Sequence, residues 1–242
     1  MVQSEQLPEA VPYEPHVGDS RPYMRDIILG VNDGLVSIFL LVAGVVGGGL
    51  DRDQIILAVI AGAIAGAISM GAGEYLATRS QEEVFDREIA LERTHIAHHR
   101  NAEVDQLYAM FADMGVAEGD LETVVEAFSR DDEVLLNSMK VLEFGIIDTE
   151  RRSPYTAMIL SGVLFLGGAL PSVLPFLFVE STNLGLIIAA VLTAAGLFAV
   201  GAVKTVVTKT NPVKSGLENL VIAGIGGILA YYIGALVDGA IG

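Results

Sequence analysis

The chain has 242 residues, 52% of them hydrophobic, with a mean hydropathy of +0.55, no Cys, no Trp and a formal net charge of -16. This composition is too apolar for an ordinary soluble domain. The acidity opposes partnership with nucleic acid, and the absence of Cys excludes disulfides and thiolate metal sites, leaving carboxylate, imidazole and thioether as ligand chemistry.

Residues 1–22 are polar, hold four of the eight prolines and show no periodicity, so they read as a mobile tail without the basic start and short apolar core of a signal peptide. The first apolar span, 24–50, contains Asn32-Asp33-Gly34. At about 1.5 Å rise per residue, Asp33 stands roughly a third of the way into a bilayer. A turn at Asp51-Arg52-Asp53 leads to the second span, 54–77, where the spacing Gly62-x-x-x-Gly66 predicts close helix packing in lipid and, with the insert above it, pairing of two subunits across spans one and two. The same helical face continues to Met70 and Glu74.

Without a proline, the second span passes into a charged extension, predicted as one helix to about residue 114. At 100° per residue, Glu88, Glu92, His95, His99, Glu103 and Gln106 fall within roughly 80° of arc, a stripe of potential metal ligands. Glu92-x-x-His95 has the spacing that di-metal helical bundles use to aim two ligands at one ion. A solvated acidic face is the bland alternative. Helix rise alone separates Glu92 from Glu103 by about 16 Å, which predicts separate sites and two or more ions per subunit.

Two shorter helices, 120–129 and 131–145, follow, with Asp120 and Asp131 as predicted N-caps, and the second carries Met139 and Glu143. Between Arg79 and Arg152 there are 18 Asp/Glu against 8 Lys/Arg, so a net of -10 is concentrated in one water-facing insert. Three more apolar spans, 155–179 (with Pro171 and Pro175 as predicted kinks), 184–207 and 217–237, complete the chain.

The fold class is therefore an all-α membrane protein with five transmembrane helices and a three-helix cytoplasmic metal-binding insert between spans two and three. Its divisions are a tail at 1–22, spans one and two at 23–79, the acidic insert at 80–152 and spans three to five at 153–242. Arg21, Arg25, Arg79, Arg151, Arg152, Lys204, Lys209 and Lys214 fall on one side of the bilayer and Arg52 on the other, which predicts a cytoplasmic N-terminus and insert. A carboxylate within a span costs a few kcal/mol unless it lines water, a partner or an ion path, so Asp33 is the leading functional residue. Glu74 lies nearer the interface. A thioether beside a carboxylate suits a borderline transition-metal ion better than Mg²⁺ or Ca²⁺, which brings in Met70.

Asp33-Gly34-Leu35-Val36, Ser69-Met70-Gly71-x-Gly73-x-Tyr75-Leu76, the acidic insert and Met139-x-x-x-Glu143-x-Gly145 together resemble the vacuolar iron transporter family. The resemblance implies a homodimer of five-span subunits, not an enzyme, that exchanges Fe²⁺ or a related divalent ion for protons and moves metal out of the cytosol. It implies that Asp33 and Met70 line the translocation path. It also implies that Glu92, His95, Glu103, Gln106, Met139 and Glu143 occupy the positions of the family's cytosolic metal ligands, with His99 on the same face. His95, Gln106 and Lys140 depart from the family's pattern of Glu and Met. Mn²⁺ is the nearest alternative cargo, with Zn²⁺ and Co²⁺ as further ions for the insert. A membrane-anchored ferroxidase and a metal-buffering protein are rivals from other classes, and neither needs a carboxylate inside span one. The expected membrane is a prokaryotic plasma membrane, or a vacuolar one in a eukaryote.

Overall fold

The computed structural model describes residues 21–148, 151–208 and 211–241. The tail at 1–20 and Lys209 lie outside the described residues. Seven helices occupy the described residues: α1 (Arg21–Gly47), α2 (Arg52–Asp113), α3 (Glu118–Phe128), α4 (Asp132–Leu142), α5 (Pro154–Phe178), α6 (Thr182–Thr208) and α7 (Pro212–Ile241). Five of them, α1, α2, α5, α6 and α7, contain stretches long and apolar enough to cross a membrane.

Local chemistry accounts for the boundaries. Asp51 caps α2 by accepting from the Gln54 N–H at 3.0 Å, while Gln54 Oε1 accepts from the Asp51 N–H at 3.1 Å, a reciprocal capping box. Asp131 caps α4 through the Val134 N–H at 2.9 Å. Asp120 does not cap α3: that helix begins one turn earlier, behind Ala117, and Asp120 lies in its first turn, where a carboxylate favours the helix dipole. Ser153 caps α5, Pro154 opens it, and the helix continues through Pro171 and Pro175. At the far end of α5, Arg52 donates from Nε to the carbonyls of Phe176 and Val179 at 2.9 and 3.1 Å and from Nη2 to that of Leu177 at 3.0 Å. These are carbonyls that a helix end leaves without intrahelical donors.

In the membrane-type part, α5 packs against both α1 and α2, α1 also packs against α7, and α6 packs against α7. Ile38, Val42, Ile55, Val59, Phe165 and Phe176 lie in its largest core cluster. Glycines let backbones touch: a Cβ at Gly34 would lie 2.1 Å from the Phe165 carbonyl oxygen, and one at Gly234 would lie 2.0 Å from that of Gly44. Gly62 and Gly66 serve the close packing that their spacing predicts. A Cβ at Gly62 would meet Leu41 Cδ2 at 2.4 Å, and one at Gly66 would meet the Phe165 ring at 2.4 Å, so these glycines seat side chains of α1 and α5 of the same chain.

The insert has its own core, in which Ile96, Leu107 and Phe111 of α2 meet Leu121 and Val125 of α3 and Leu135, Leu136 and Met139 of α4. A straight helix would hold Ile96 and Leu107 about 16 Å apart along its axis. The helix is broken at His99, whose backbone is non-helical at φ -135°, ψ 32°. Arg100, directly after the break, donates to Asp132 Oδ1 at 2.9 Å and to the Ser129 carbonyl, which ties the break to the α3–α4 turn.

The close glycine contacts give a direct stability test. Gly234→Ala should destabilise the protein by about 1–3 kcal/mol through overpacking, whereas Gly224→Ala, with nothing within 4 Å of its Cβ, should be neutral or slightly stabilising. Thermal unfolding of the two variants in detergent reads the difference, and equal midpoints would contradict the packing.

Candidate metal centre

The break at His99 determines the geometry of the insert's ligands. It turns the second half of α2 back towards the first, so Glu103 meets Glu92 and His95, and one ligand atom from each residue lies within 4.8 Å of the other two. His95 Nδ1 is 3.4 Å from Glu103 Oε1 and 3.8 Å from Glu92 Oε2. The expected separation of about 16 Å between Glu92 and Glu103 is thereby corrected: these two residues belong to one cluster. An ion with bonds of about 2.1 Å holds its donors up to about 4.2 Å apart, so the three groups need only a small contraction to share one cation.

Burial makes the cluster demanding. Glu92 and Glu103 are 2% and 6% exposed, and Glu92 Oε1 is buried with no hydrogen-bond partner. Burial pushes the Glu92 carboxyl up to about 7; the negative charges of Glu103 and Glu143 add to the rise and His95 partly offsets it. A divalent cation would satisfy the orphaned oxygen and the crowded charge together.

The other predicted insert residues take different places. Glu88 is half-buried one turn before Glu92, outside the three-residue group, and Gln106 is half-buried one turn after Glu103. His99 stands exposed at the break and lines a surface cleft with His98 and Arg100. Met139 is fully buried within the insert's apolar core. Glu143 is exposed, yet its charge reaches Glu92. Lys140 donates to both carboxylate oxygens of Asp148, at 3.1 and 3.0 Å, and so pins the chain that follows α4.

A second constellation lies among the spans. Asp33 and Met70 line one cleft of about 370 Å³ together with Ser37, Gly62, Gly66 and Ser69. Leu41 and Phe165, which pack over Gly62 and Gly66, line the same cleft. Ser37, one turn after Asp33, donates to Asp33 Oδ1 at 2.6 Å. Glu74, one turn from Met70, is 8% exposed, with Oε2 buried and unpartnered. Sequence reasoning missed Ser37 and Ser69 as cleft residues, although the i, i+4 spacing of Asp33 and Ser37 was a usable signal.

The raised Glu92 carboxyl has a definite sign. Between about 4.5 and about 7 the folded chain holds a proton that the unfolded chain releases. The metal-free protein therefore loses stability as pH rises through that window, and the loss is complete above it. Glu92→Gln removes the titrating group and should flatten this slope, with its largest relative stabilisation at the alkaline end. Thermal unfolding in chelator across the window reads it; parallel slopes for the two proteins would contradict the assignment. With metal present the order reverses, because protons compete for Glu92 and occupancy falls as pH drops through about 7.

Comparison with known proteins places the chain in a family. Vacuolar iron transporter 1 of Tulipa gesneriana is 32% identical over 209 residues, covering 86% of this chain and 84% of that protein. Vacuolar iron transporter 1 of Arabidopsis thaliana is 31% identical over 216 residues, covering 89% and 86%. The vacuolar iron transporter of Toxoplasma gondii is 26% identical over 238 residues, covering 95% and 79%. The VIT family model matches residues 24–235, taking in α2 with its insert and both constellations, and the chain belongs to the VIT family.

Proposed function

We propose that this multi-pass membrane protein is a proton-coupled transporter of divalent metal, with Fe²⁺ as the first-choice cargo, and that it moves metal out of the cytosol. The observation that carries this reading is the cleft shared by Asp33 and Met70: a carboxylate and a thioether facing one space among apolar helices suit a borderline transition-metal ion. In this reading residues 80–152 form a cytoplasmic metal-binding domain, the N-terminus is cytoplasmic, and Glu92, His95 and Glu103 collect metal, with Glu88, His99, Gln106, Met139 and Glu143 contributing around them. Glu74 and then Met70 and Asp33 receive it. A carboxylate binds either a proton or a metal ion, and competition at these groups supplies the coupling. The relatives named for iron transport support the choice of ion. Mn²⁺ is the alternative cargo, since carboxylate and imidazole donors serve it as well.

The same cleft supports a homodimer. Asp33 and Met70 are half-buried, and Ala65, Ser69 and Gly73 on the adjoining face of α2 are exposed. Lipid is a poor neighbour for a carboxylate, and a second copy laid against α1 and α2 would close the cleft.

Flux into proteoliposomes tests the transport reading. Wild-type protein should carry Fe²⁺, and Mn²⁺ less well, faster with a pH gradient than without. Asp33→Asn should abolish flux with folding unchanged, and Met70→Leu should reduce the rate and shift ion preference; wild-type flux in Asp33→Asn would remove Asp33 from the path. The dimer has its own test, because the chain has no Cys. Ala65→Cys or Ser69→Cys, both exposed on the cleft side of α2, should crosslink two copies in membranes while Ile187→Cys, exposed on α6, should not; the opposite pattern would place the interface elsewhere.

A further inference from the structure

Asp26 is fully buried on α1, and Arg152, just ahead of α5, donates from Nη1 to both of its oxygens, at 2.7 and 2.8 Å. The Arg152 side chain is 13% exposed. The same connection makes two further ties: the Ser153 N–H donates to Tyr23 Oη on α1 at 3.1 Å, and Arg151 donates to Glu82 and Asp86 on α2. One short segment thus grips both α1 and α2 at the insert end of the spans. A buried ion pair is weak evidence for stability, because desolvation offsets much of the attraction. Its best-attested use is to fix the register of packed elements.

The two helices that this pair joins touch through glycine. Asp26, Gly30 and Gly34 recur every four residues along α1 and so share one face. A Cβ at Gly30 would lie 3.3 Å from the Ser161 carbonyl oxygen, one at Gly34 2.1 Å from that of Phe165, and one at Gly168 2.3 Å from that of Val31. Backbone runs on backbone along this seam. Such contact brings helices close, but it lacks the interlocking side-chain ridges that oppose sliding. Asp33 is the neighbour of Gly34 and stands seven residues, about 10 Å, beyond Asp26. The Phe165 carbonyl abuts Gly34 of α1, its ring abuts Gly66 of α2, and the residue lines the cleft of Asp33 and Met70. α5 is also seated on α2, by Gly71 against the Met158 carbonyl and by Gly162 against that of Ala67. With α5 and α2 seated together, the position of α1 on α5 decides where Asp33 stands relative to Met70.

We propose that Arg152, acting through Asp26, is a positioning residue for the metal path: the pair sets the axial register of α1 on α5, and with it the distance of Asp33 from Met70. An axial slip of one residue is about 1.5 Å. Bonds of about 2 Å to a metal ion tolerate little of that, so both rate and ion preference follow the register. Neither Arg152 nor Asp26 touches the ion. The effect on flux rests on the transport reading above; the register role does not.

Asp26→Leu/Arg152→Met tests the proposal in the full-length protein, because it removes both charges together and leaves neither buried alone. In proteoliposomes, flux per folded chain should fall roughly tenfold and the ratio of Fe²⁺ to Mn²⁺ flux should shift about threefold, a ratio that the amount of folded protein cannot move. The register itself is read in detergent with Leu41→Cys/Gly62→Cys, since the chain has no other Cys and Leu41 is the residue that a Cβ at Gly62 would meet. This bridge between α1 and α2 should close under mild oxidant in the otherwise native chain and about fivefold more slowly with Asp26→Leu/Arg152→Met, counted by mass tags on the remaining thiols. An unchanged flux ratio or an unchanged closure rate overturns the proposal. Should the apolar pair not fold, Arg152→Lys, with its shorter reach, should lower the rate and shift the ratio, and adding Asp26→Glu, one methylene longer, should restore both. No loss in Arg152→Lys, or a loss that Asp26→Glu does not restore, is equally fatal. Slower closure in a protein that carries no metal would keep the register role and remove the transport reading, while flux indifferent to Asp26 and Arg152 would do the reverse.

Discussion

A carboxylate held away from water must find a proton, a counter-charge or a metal ion, and three of the four buried acids among the described residues stand differently towards that requirement. Asp26 takes the guanidinium of Arg152 at 2.7 and 2.8 Å. Glu92 holds a proton to about 7 and keeps one oxygen unpartnered. Glu74 has an oxygen with no partner at all. The last two arrangements leave room for exchange with a cation, which is the property a metal-handling protein needs along its length.

The break at His99 and the glycines of α2 serve this same end by opposite means. The break brings together Glu92, His95 and Glu103, which a straight helix would hold apart, and it lets one small insert build a core from both halves of α2. Gly62 and Gly66 seat Leu41 and Phe165 against α2 beside the cleft that Asp33 and Met70 line. α5 packs against both α1 and α2 and so holds the two walls in register.

Much of this was legible in the sequence. Hydropathy marked the five spans, Asp131 marked the start of α4, and the acidic run marked the insert. The carboxylate in the first span and the thioether in the second do share a cleft. The break was not legible: residues 92–103 contain no Gly or Pro, and Ile96 and Leu107, eleven apart, stay in phase on a straight helix, so no slip in apolar register announces it. Tertiary contacts impose it, through Arg100 on Asp132 and through Leu107 and Phe111 against α3 and α4. The pairing of Arg152 with Asp26 spans 126 residues, and no local pattern encodes it. The Gly62–Gly66 spacing was read correctly as close packing, and within the chain it seats Leu41 and Phe165.

The central claim is that metal moves through carboxylates that must give up or take up protons as it passes. The most direct measurement follows metal and protons together, in proteoliposomes carrying one dye for Fe²⁺ and one for pH. The account predicts Fe²⁺ influx with proton efflux in a fixed ratio that does not change with the size of the imposed gradient. Fe²⁺ influx with no accompanying proton movement, or with a ratio that drifts freely with the gradient, would contradict it.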